Sequence, residues 1–428
     1  MMPFSVLRIW GLGIFSWALL GVGIYLAVLA YDEFSLTEPS TPVANRPVTS
    51  VVENTANDNN ADDDTVDPDN RADEDDWKRW ALLAGAIACL GLSFGGYWPI
   101  SLFLGNAPQR EVAEVQPTKT LTVERPDGTR LHVEVYGDSA KPTLLCTHGW
   151  SLDTSAWNYI KGDLASRYRL VIWDLPGMGR SKGPTNGDYS LTKMADDLDA
   201  VIRATAVRAP LILVGHSIGG MIQQTFCRLH PEHLGNTVQG LALVYTTYTN
   251  PLRTNVAAST TTALESVLIV PLNYLTIALA PLAWLSNWQS YLNGSLHIMT
   301  RFASFSGKQS RQQLDHAARL AAAAWPAAVA RGNLAMLEFN EERTLPLIEV
   351  PVLVLGGDDD RMTLLSASEH IERLLPNDRP TRTDSGHLGH WELSERVVTL
   401  LSEFADHVVS GGPTREKHSA PSHKVPTT

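Results

Sequence analysis

The fold is decided by the stretch Leu211-Ile212-Leu213-Val214-Gly215-His216-Ser217-Ile218-Gly219. Its first four residues are apolar and suit a buried strand. After the Gly-x-Ser-x-Gly turn, apolar residues recur every three or four positions, as on the buried face of a helix, at Ile218, Ile222, Phe226 and Leu229. In a strand, tight turn and helix of this kind, the serine lies on a strained turn and larger flanking side chains would collide with neighbouring elements. Ser217 is therefore the candidate nucleophile.

Short runs with β character lie on both sides of this stretch. Leu121–Glu124 and Leu131–Val135 flank Pro126-Asp127-Gly128, which predicts a hairpin. Further apolar runs occupy Thr143–Thr147, Arg169–Trp173, Leu211–Val214, Leu241–Tyr245 and Val352–Leu355. Because helical patterns separate several of them, we predict an α/β fold with a mostly parallel central sheet and helices on both faces.

One connection is much longer than the others. About a hundred residues separate Tyr245 from Val352, and this segment is rich in Ala, Leu, Trp and Tyr. It reads as mainly helical, with Pro271, Pro281 and Pro326 as breaks. We predict an inserted helical cap at about residues 246–350.

Two uncharged stretches, residues 9–31 and 80–104, are each long enough to span a bilayer as a helix. We predict two N-terminal transmembrane helices. For the first, the rival interpretation is a secretory signal cleaved near Val28-Leu29-Ala30; for the second, it is a buried core helix. The basic flanks do not agree on an orientation, since Lys78 and Arg79 favour a cytoplasmic loop whereas Arg8 and Arg110 favour cytoplasmic outer ends.

An acidic segment joins the two predicted spans. Residues 51–76 carry a net charge of −10, against −12 for the whole chain of 428 residues, so the rest of the chain is nearly neutral. The acidity therefore indicates a disordered loop rather than a substrate preference, and no basic patch suggests nucleic acid. The three cysteines do not suggest a disulfide framework. The predicted divisions are 1–31 with the first span, 32–79 as loop, 80–104 as second span, 115–410 as catalytic domain and 411–428 as disordered tail.

A serine nucleophile needs a base, an acid that orients the base, and donors for the developing oxyanion. The carboxylates of Asp358, Asp359 and Asp360 follow a strand directly, and one of them is expected to be the acid. The base is expected to be His387, with His390 as competitor. His387 lies 27 residues beyond Asp360, which leaves room for one helix and one short strand.

Two backbone N–H groups are candidates for the oxyanion site. One belongs to Ile218, the residue after the nucleophile. The other belongs to Trp150, in the His148-Gly149-Trp150 turn that directly follows an earlier strand.

These motifs together resemble the α/β-hydrolase superfamily over roughly residues 120–408. The similarity rests on His148-Gly149-Trp150, the loop Asp174–Ser181, Gly-His-Ser-Ile-Gly-Gly at 215–220, Gly357–Asp360 and Gly386-His387. The resemblance implies that Asp360, three residues after Gly357, is the acid, and that the loop Asp174–Ser181 is structural. The family's proline four residues after the acid is missing here, which keeps Asp358 and Asp359 open. A serine nucleophile, where epoxide hydrolases and haloalkane dehalogenases carry aspartate, disfavours those chemistries.

The expected activity is ester hydrolysis through a Ser217, His387 and Asp360 triad, with no metal or organic cofactor. The aromatic residues Trp284, Trp288, Tyr291 and Trp325 of the apolar cap either line the acyl pocket or pack the cap on the core. An apolar cap beside a membrane anchor favours a lipophilic ester, so the expected partners are a small-molecule ester or lipid-like substrate and the membrane. The alternatives are an acyltransferase, a carbon–carbon bond hydrolase on the same fold, and a membrane-tethered binding protein without catalysis.

Overall fold

The computed structural model describes residues 2–35, 68–107, 115–205 and 210–411. Eight strands form one sheet in the order β1-β2-β4-β3-β5-β6-β7-β8. The strands are β1 Lys119–Glu124, β2 Arg130–Tyr136, β3 Thr143–Thr147, β4 Arg169–Trp173, β5 Leu211–His216, β6 Val238–Val244, β7 Val352–Gly357 and β8 Asp378–Thr383. β2 pairs antiparallel with β1 and with β4, and every other pair is parallel. The predicted hairpin and mostly parallel sheet are confirmed.

Fifteen α-helices are found in the described residues. They are α1 Met2–Ser35, α2 Pro68–Gly95, α3 Tyr97–Leu104, α4 Asn158–Arg167, α5 Leu191–Ala204, α6 Ile218–Leu229, α7 Ala258–Ala263, α8 Val270–Ala278, α9 Ala280–Leu292, α10 Ser295–Ser304, α11 Arg311–Ala323, α12 Pro326–Leu337, α13 Leu365–Leu374, α14 Gly389–Glu392 and α15 Ser394–Val409. Six of them, α7 to α12, lie between β6 and β7, in the segment where the sequence predicts a cap.

The sheet is covered on both faces because its strands are apolar on both sides. Along β5, Leu211 and Leu213 pack into one buried cluster with side chains of α5 and α6, whereas Ile212 and Val214 pack into a second with side chains of α4 and α15. Alternate residues of a strand point to opposite faces, so a continuous apolar run requires two covers. This arrangement holds the carboxyl end of β5, where Ser217 follows, at a fixed position.

Among the described residues, one helix, α1, is long and apolar enough to cross a bilayer, over Val6–Ser35. It packs along α2 in the opposite direction, since Phe34 lies against Trp80 whereas Gly23 lies against Leu90. The second predicted span is not one straight helix: α2 and α3 are bent by 68° at Gly96. Pro99 explains the break, because it has no N–H for the carbonyl of Gly95 and its ring crowds that carbonyl.

The predicted loop 32–79 differs from the structure at both of its ends. Residues 32–35 continue α1, residues 36–67 lie outside the described residues, and residues 68–79 belong to α2. The structure thus places residues 68–79 in a helix, where the sequence predicts a loop. The predicted tail, apart from Gly411, lies outside the described residues.

Candidate active site

Ser217 lies between the end of β5 and the start of α6 with a left-handed backbone, φ 55°. This conformation is strained for a residue with a side chain. A Cβ on Gly215 would lie 2.6 Å from the backbone of Gly219, and a Cβ on Gly219 would lie 2.3 Å from the carbonyl oxygen of Thr147. The Gly-x-Ser-x-Gly pattern is thus explained by close backbone approach on both sides of the serine.

His387 lies in the loop after β8 and contacts the serine. Its Nε2 is 2.9 Å from Ser217 Oγ, and its Nδ1 is 2.8 Å from Asp360 Oδ2. Because a carboxylate only accepts hydrogen bonds, Nδ1 carries the proton and Nε2 is free to accept the serine hydroxyl proton. The ring is therefore held in the tautomer that a general base needs.

Asp360 is the carboxylate that reaches this histidine. Its side chain is buried, and Oδ1 accepts the backbone N–H groups of Met362 and Thr363 at 2.8 and 2.9 Å. The hydroxyl of Thr363 donates to Oδ2 at 2.8 Å. Asp358 and Asp359 are exposed. Burial and these donors fix Asp360 alone against the imidazole.

His390, the competing base, is buried apart from the serine. Its ring centre lies 4.3 Å from that of His216, and neither of its ring nitrogens has a hydrogen-bond partner in the described part of the chain. Burial, and next the neighbouring His387, lower the pKa of His390 to about 3. His390 therefore has no hydrogen bond to Ser217, and it is His387 that contacts the serine hydroxyl.

The low pKa of His390 predicts acid sensitivity of the fold. A histidine in the unfolded chain titrates near pH 6.5. Below about this pH the unfolded chain binds a proton that the folded chain does not bind, so the free energy of unfolding falls as the pH decreases. Burial lowers the pKa of His216, His148 and His316 in the same direction. We expect the melting temperature to fall between about pH 7 and about pH 5, and His390→Leu to reduce that slope. An unchanged slope in the variant would refute this assignment.

The two predicted oxyanion donors lie beside the serine. A Cβ on Gly149 would be 3.3 Å from Ser217 Cβ, so the turn before Trp150 passes directly against the nucleophile. Ile218 begins α6, whose N-terminus carries partial positive charge. The described residues supply no hydrogen-bond acceptor for the backbone N–H of either Trp150 or Ile218. Both amides are thus available to an oxyanion.

The loop Asp174–Ser181 fixes the turn that carries Trp150. His148 Nδ1 donates to the carbonyl of Gly149 at 2.8 Å, and its Nε2 accepts the N–H of Leu175 at 3.0 Å. The buried carboxylate of Asp174 accepts the N–H groups of Thr154 and Arg180 at 2.6 and 2.8 Å. These contacts are structural and place no side chain of the loop against Ser217.

Two residues that hold the triad in place are not predicted from the sequence. Thr363 could have been suspected, because a hydroxyl three residues after a carboxylate commonly closes a local turn. Glu392 could not: its buried carboxylate accepts the N–H of Gly386 at 2.8 Å and those of Ser306 and Lys308 at 2.9 and 3.0 Å. Glu392 thereby links the loop that carries His387 to the connection between α10 and α11.

The structure holds a second serine beside a histidine and an aspartate. Ser155 Oγ lies 2.8 Å from His316 Nε2 and also bonds Asp153. Here the hydroxyl contacts both partners, so no acid orients the histidine from its far side. These residues line a cleft of about 680 Å³ that does not include Ser217. This cluster is a useful control for the triad.

Fold and site together define a class of protein. A sequence model of the α/β hydrolase fold matches residues 142–393. The chain belongs to the α/β-hydrolase family.

Individual relatives share limited sequence identity with this chain. Over 106 residues the chain is 34% identical to a pimeloyl-[acyl-carrier protein] methyl ester esterase of Aeromonas hydrophila, a match that covers 25% of this chain and 39% of that protein. Among solved structures, a thermophilic esterase from Thermogutta terrifontis has a TM-score of 0.55 at 23% identity, covering 68% of this chain and 99% of its own. A membrane phospholipase A described as a bacterial virulence factor has a TM-score of 0.53 at 26% identity, covering 68% and 86%.

Proposed function

We propose that this chain is a membrane-anchored serine hydrolase that cleaves a lipophilic carboxylic ester through an acyl-enzyme. The observation that carries the proposal is the hydrogen-bonded series from Ser217 Oγ through the His387 ring to the buried Asp360 carboxylate. The names of the relatives, an ester esterase and a phospholipase, are consistent with ester substrates.

In the first half-reaction, Ser217 Oγ attacks the acyl carbon while His387 Nε2 takes the hydroxyl proton. The amides of Trp150 and Ile218 hold the oxyanion of the tetrahedral intermediate. When the ester C–O bond breaks, Nε2 returns the proton to the departing alkoxide. Asp360 holds the ring and stabilises its transient positive charge.

In the second half-reaction, water attacks the acyl group on Ser217 and gives its proton to Nε2. The C–Oγ bond then breaks, the carboxylic acid leaves, and Ser217 regains its proton from Nε2. Every transferred proton passes through one ring atom, so the tautomer fixed by Asp360 serves both halves.

The membrane part of the proposal assigns α1 as one span and the bent pair α2 and α3 as a second, broken one. It is supported by the exposed apolar side chains of α1, among them Ile24 and Val28. A protein held at a bilayer surface meets lipid-like esters at high local concentration, which favours a lipophilic substrate.

A series of p-nitrophenyl esters from acetate to palmitate tests the activity of the purified full-length protein in detergent. We expect release of free fatty acid, with faster turnover of the longer chains. Added alcohols and amines should not divert the acyl group, since an acylated acceptor as main product would indicate an acyltransferase. A folded protein that hydrolyses none of the esters would contradict the proposal.

A further inference from the structure

The cap contains a long uncharged segment. No Asp, Glu, Lys or Arg occurs between Glu265 and Arg301. Glu265–Ala278, which begins at the bounding glutamate, and Ala280–Leu292 meet at an angle of 101°, and together they are long and apolar enough to count as a bent or re-entrant span. We refer to residues 265–292 as the cap hairpin.

The cap hairpin has the reverse of the burial pattern expected for a helix pair exposed to water. Six of its polar side chains are buried in the protein, namely those of Asn273, Thr276, Ser286, Asn287, Gln289 and Ser290. Its large apolar side chains are exposed, namely those of Val267, Tyr274, Leu275, Leu279, Leu282 and Leu285. Buried polar groups beside exposed, uncharged apolar side chains suit a surface in contact with hydrocarbon, since many large apolar side chains exposed together are unfavourable in water.

The N-terminal half of α1 is bonded to the cap hairpin. Trp10 Nε1 donates to Thr276 Oγ1 at 3.0 Å, and Trp17 Nε1 donates to Ser286 Oγ at 3.0 Å. Ser16 Oγ lies 3.1 Å from Ser290 Oγ, within hydrogen-bond distance. Serine and threonine hydroxyls that form hydrogen bonds between helices are typical of helices that pack inside membranes.

These bonds fix the depth of the hairpin. The uncharged run of α1 ends at Tyr31, before Asp32 and Glu33. At about 1.5 Å per residue, Trp17 lies about 20 Å from Tyr31, which is about 10 Å inside the opposite boundary of a hydrocarbon core about 30 Å thick. Trp10 lies near that boundary by the same measure. Thr276 and Ser286 share these depths because they are bonded to the two tryptophans.

We propose that the cap hairpin inserts its exposed apolar face into the membrane leaflet that α1 enters from its N-terminal side. The partner is the acyl-chain region of a lipid bilayer. The inference rests on α1 as a membrane span, as in the proposed function, but not on the catalytic chemistry. It places one side of the cap in lipid rather than in water.

Depth-dependent quenching tests this placement. Single cysteines at Leu282→Cys, Ile24→Cys on α1 and Glu403→Cys on α15, in a Cys89→Ser background, would carry an environment-sensitive fluorophore. Glu403 is exposed on a helix that packs on the far side of the sheet from the cap. The labelled full-length proteins are reconstituted into phosphatidylcholine vesicles with and without brominated acyl chains. The unsubstituted background protein measures labelling of the two buried cysteines.

We expect brominated lipid to remove most of the fluorescence at positions 24 and 282 and none at 403. Quenching at 24 without quenching at 282 would overturn the inference and leave the anchor intact. Absence of quenching at both would remove the anchor as well, and ester hydrolysis measured on the same samples would show separately whether the catalytic proposal holds. Protection of position 282 from both brominated lipid and aqueous iodide would indicate a second copy on this face and would also overturn it.

Discussion

Ser217→Ala is expected to lower kcat/KM for a p-nitrophenyl ester by about 10³-fold or more, the scale seen when a serine nucleophile is removed. The acyl-enzyme cannot form without Oγ, and no other described hydroxyl lies against His387 Nε2. The half-buried side chain is small, and alanine tolerates the backbone of position 217 about as well as serine, so the melting temperature should change little. Steady-state hydrolysis and a thermal melt of both proteins check the two parts of this expectation.

Ser155→Ala is the matched control. Ser155 also contacts a histidine and an aspartate, but its cluster lies in a separate cleft and lacks the linear order of acid, base and nucleophile. Hydrolysis should be unchanged in this variant. Activity retained in Ser217→Ala, or lost in Ser155→Ala with Ser217 intact, would contradict the assignment of the nucleophile.

Asp360→Asn is expected to reduce kcat by about three to four orders of magnitude while KM changes little. The asparagine amide can donate toward His387 Nδ1, which stabilises the tautomer with its proton on Nε2. That tautomer cannot accept the hydroxyl proton of Ser217. The loss should ease at high pH, where hydroxide assists removal of that proton. The measurement is the pH dependence of kcat for wild type and variant.

Asp358→Asn and Asp359→Asn are controls of identical chemistry. Both carboxylates are exposed, and the buried carboxylate of Asp360 is the one that reaches His387. Near wild-type kcat is expected for both. A loss confined to Asp358→Asn or Asp359→Asn, with Asp360→Asn active, would move the acid to an exposed position and refute the geometry.

The sheet and the central motif are predictable from sequence because both are local. Apolar runs such as Thr143–Thr147 and Arg169–Trp173 begin and end at the observed strand boundaries, since Pro142 and the turn residues around them leave little choice. The Gly-x-Ser-x-Gly turn reports close backbone contacts directly through its glycines. The choice among Asp358, Asp359 and Asp360 is not local, because it depends on which carboxylate the chain buries.

The structure adds features that arise from contacts between distant segments. Glu392 bonds backbone groups about eighty residues earlier in the chain, and no pattern in either segment indicates the other. The bend at Gly96 depends on Pro99 within an otherwise apolar run. The cap hairpin has apolar and polar residues in proportions that fit a water-soluble cap equally well. The burial of its polar side chains and the hydrogen bonds from α1 to Thr276 and Ser286 identify which side faces the protein.

Labelling with a fluorophosphonate tests the central claim most directly, because this reagent reacts with a serine only when a base and an oxyanion site activate it. The full-length protein is treated in detergent, digested, and mapped by mass spectrometry. We predict a single phosphonyl adduct on Ser217, absent in Ser217→Ala and strongly reduced in His387→Ala. A folded wild-type protein that takes no label, or takes it on another serine, would contradict the account.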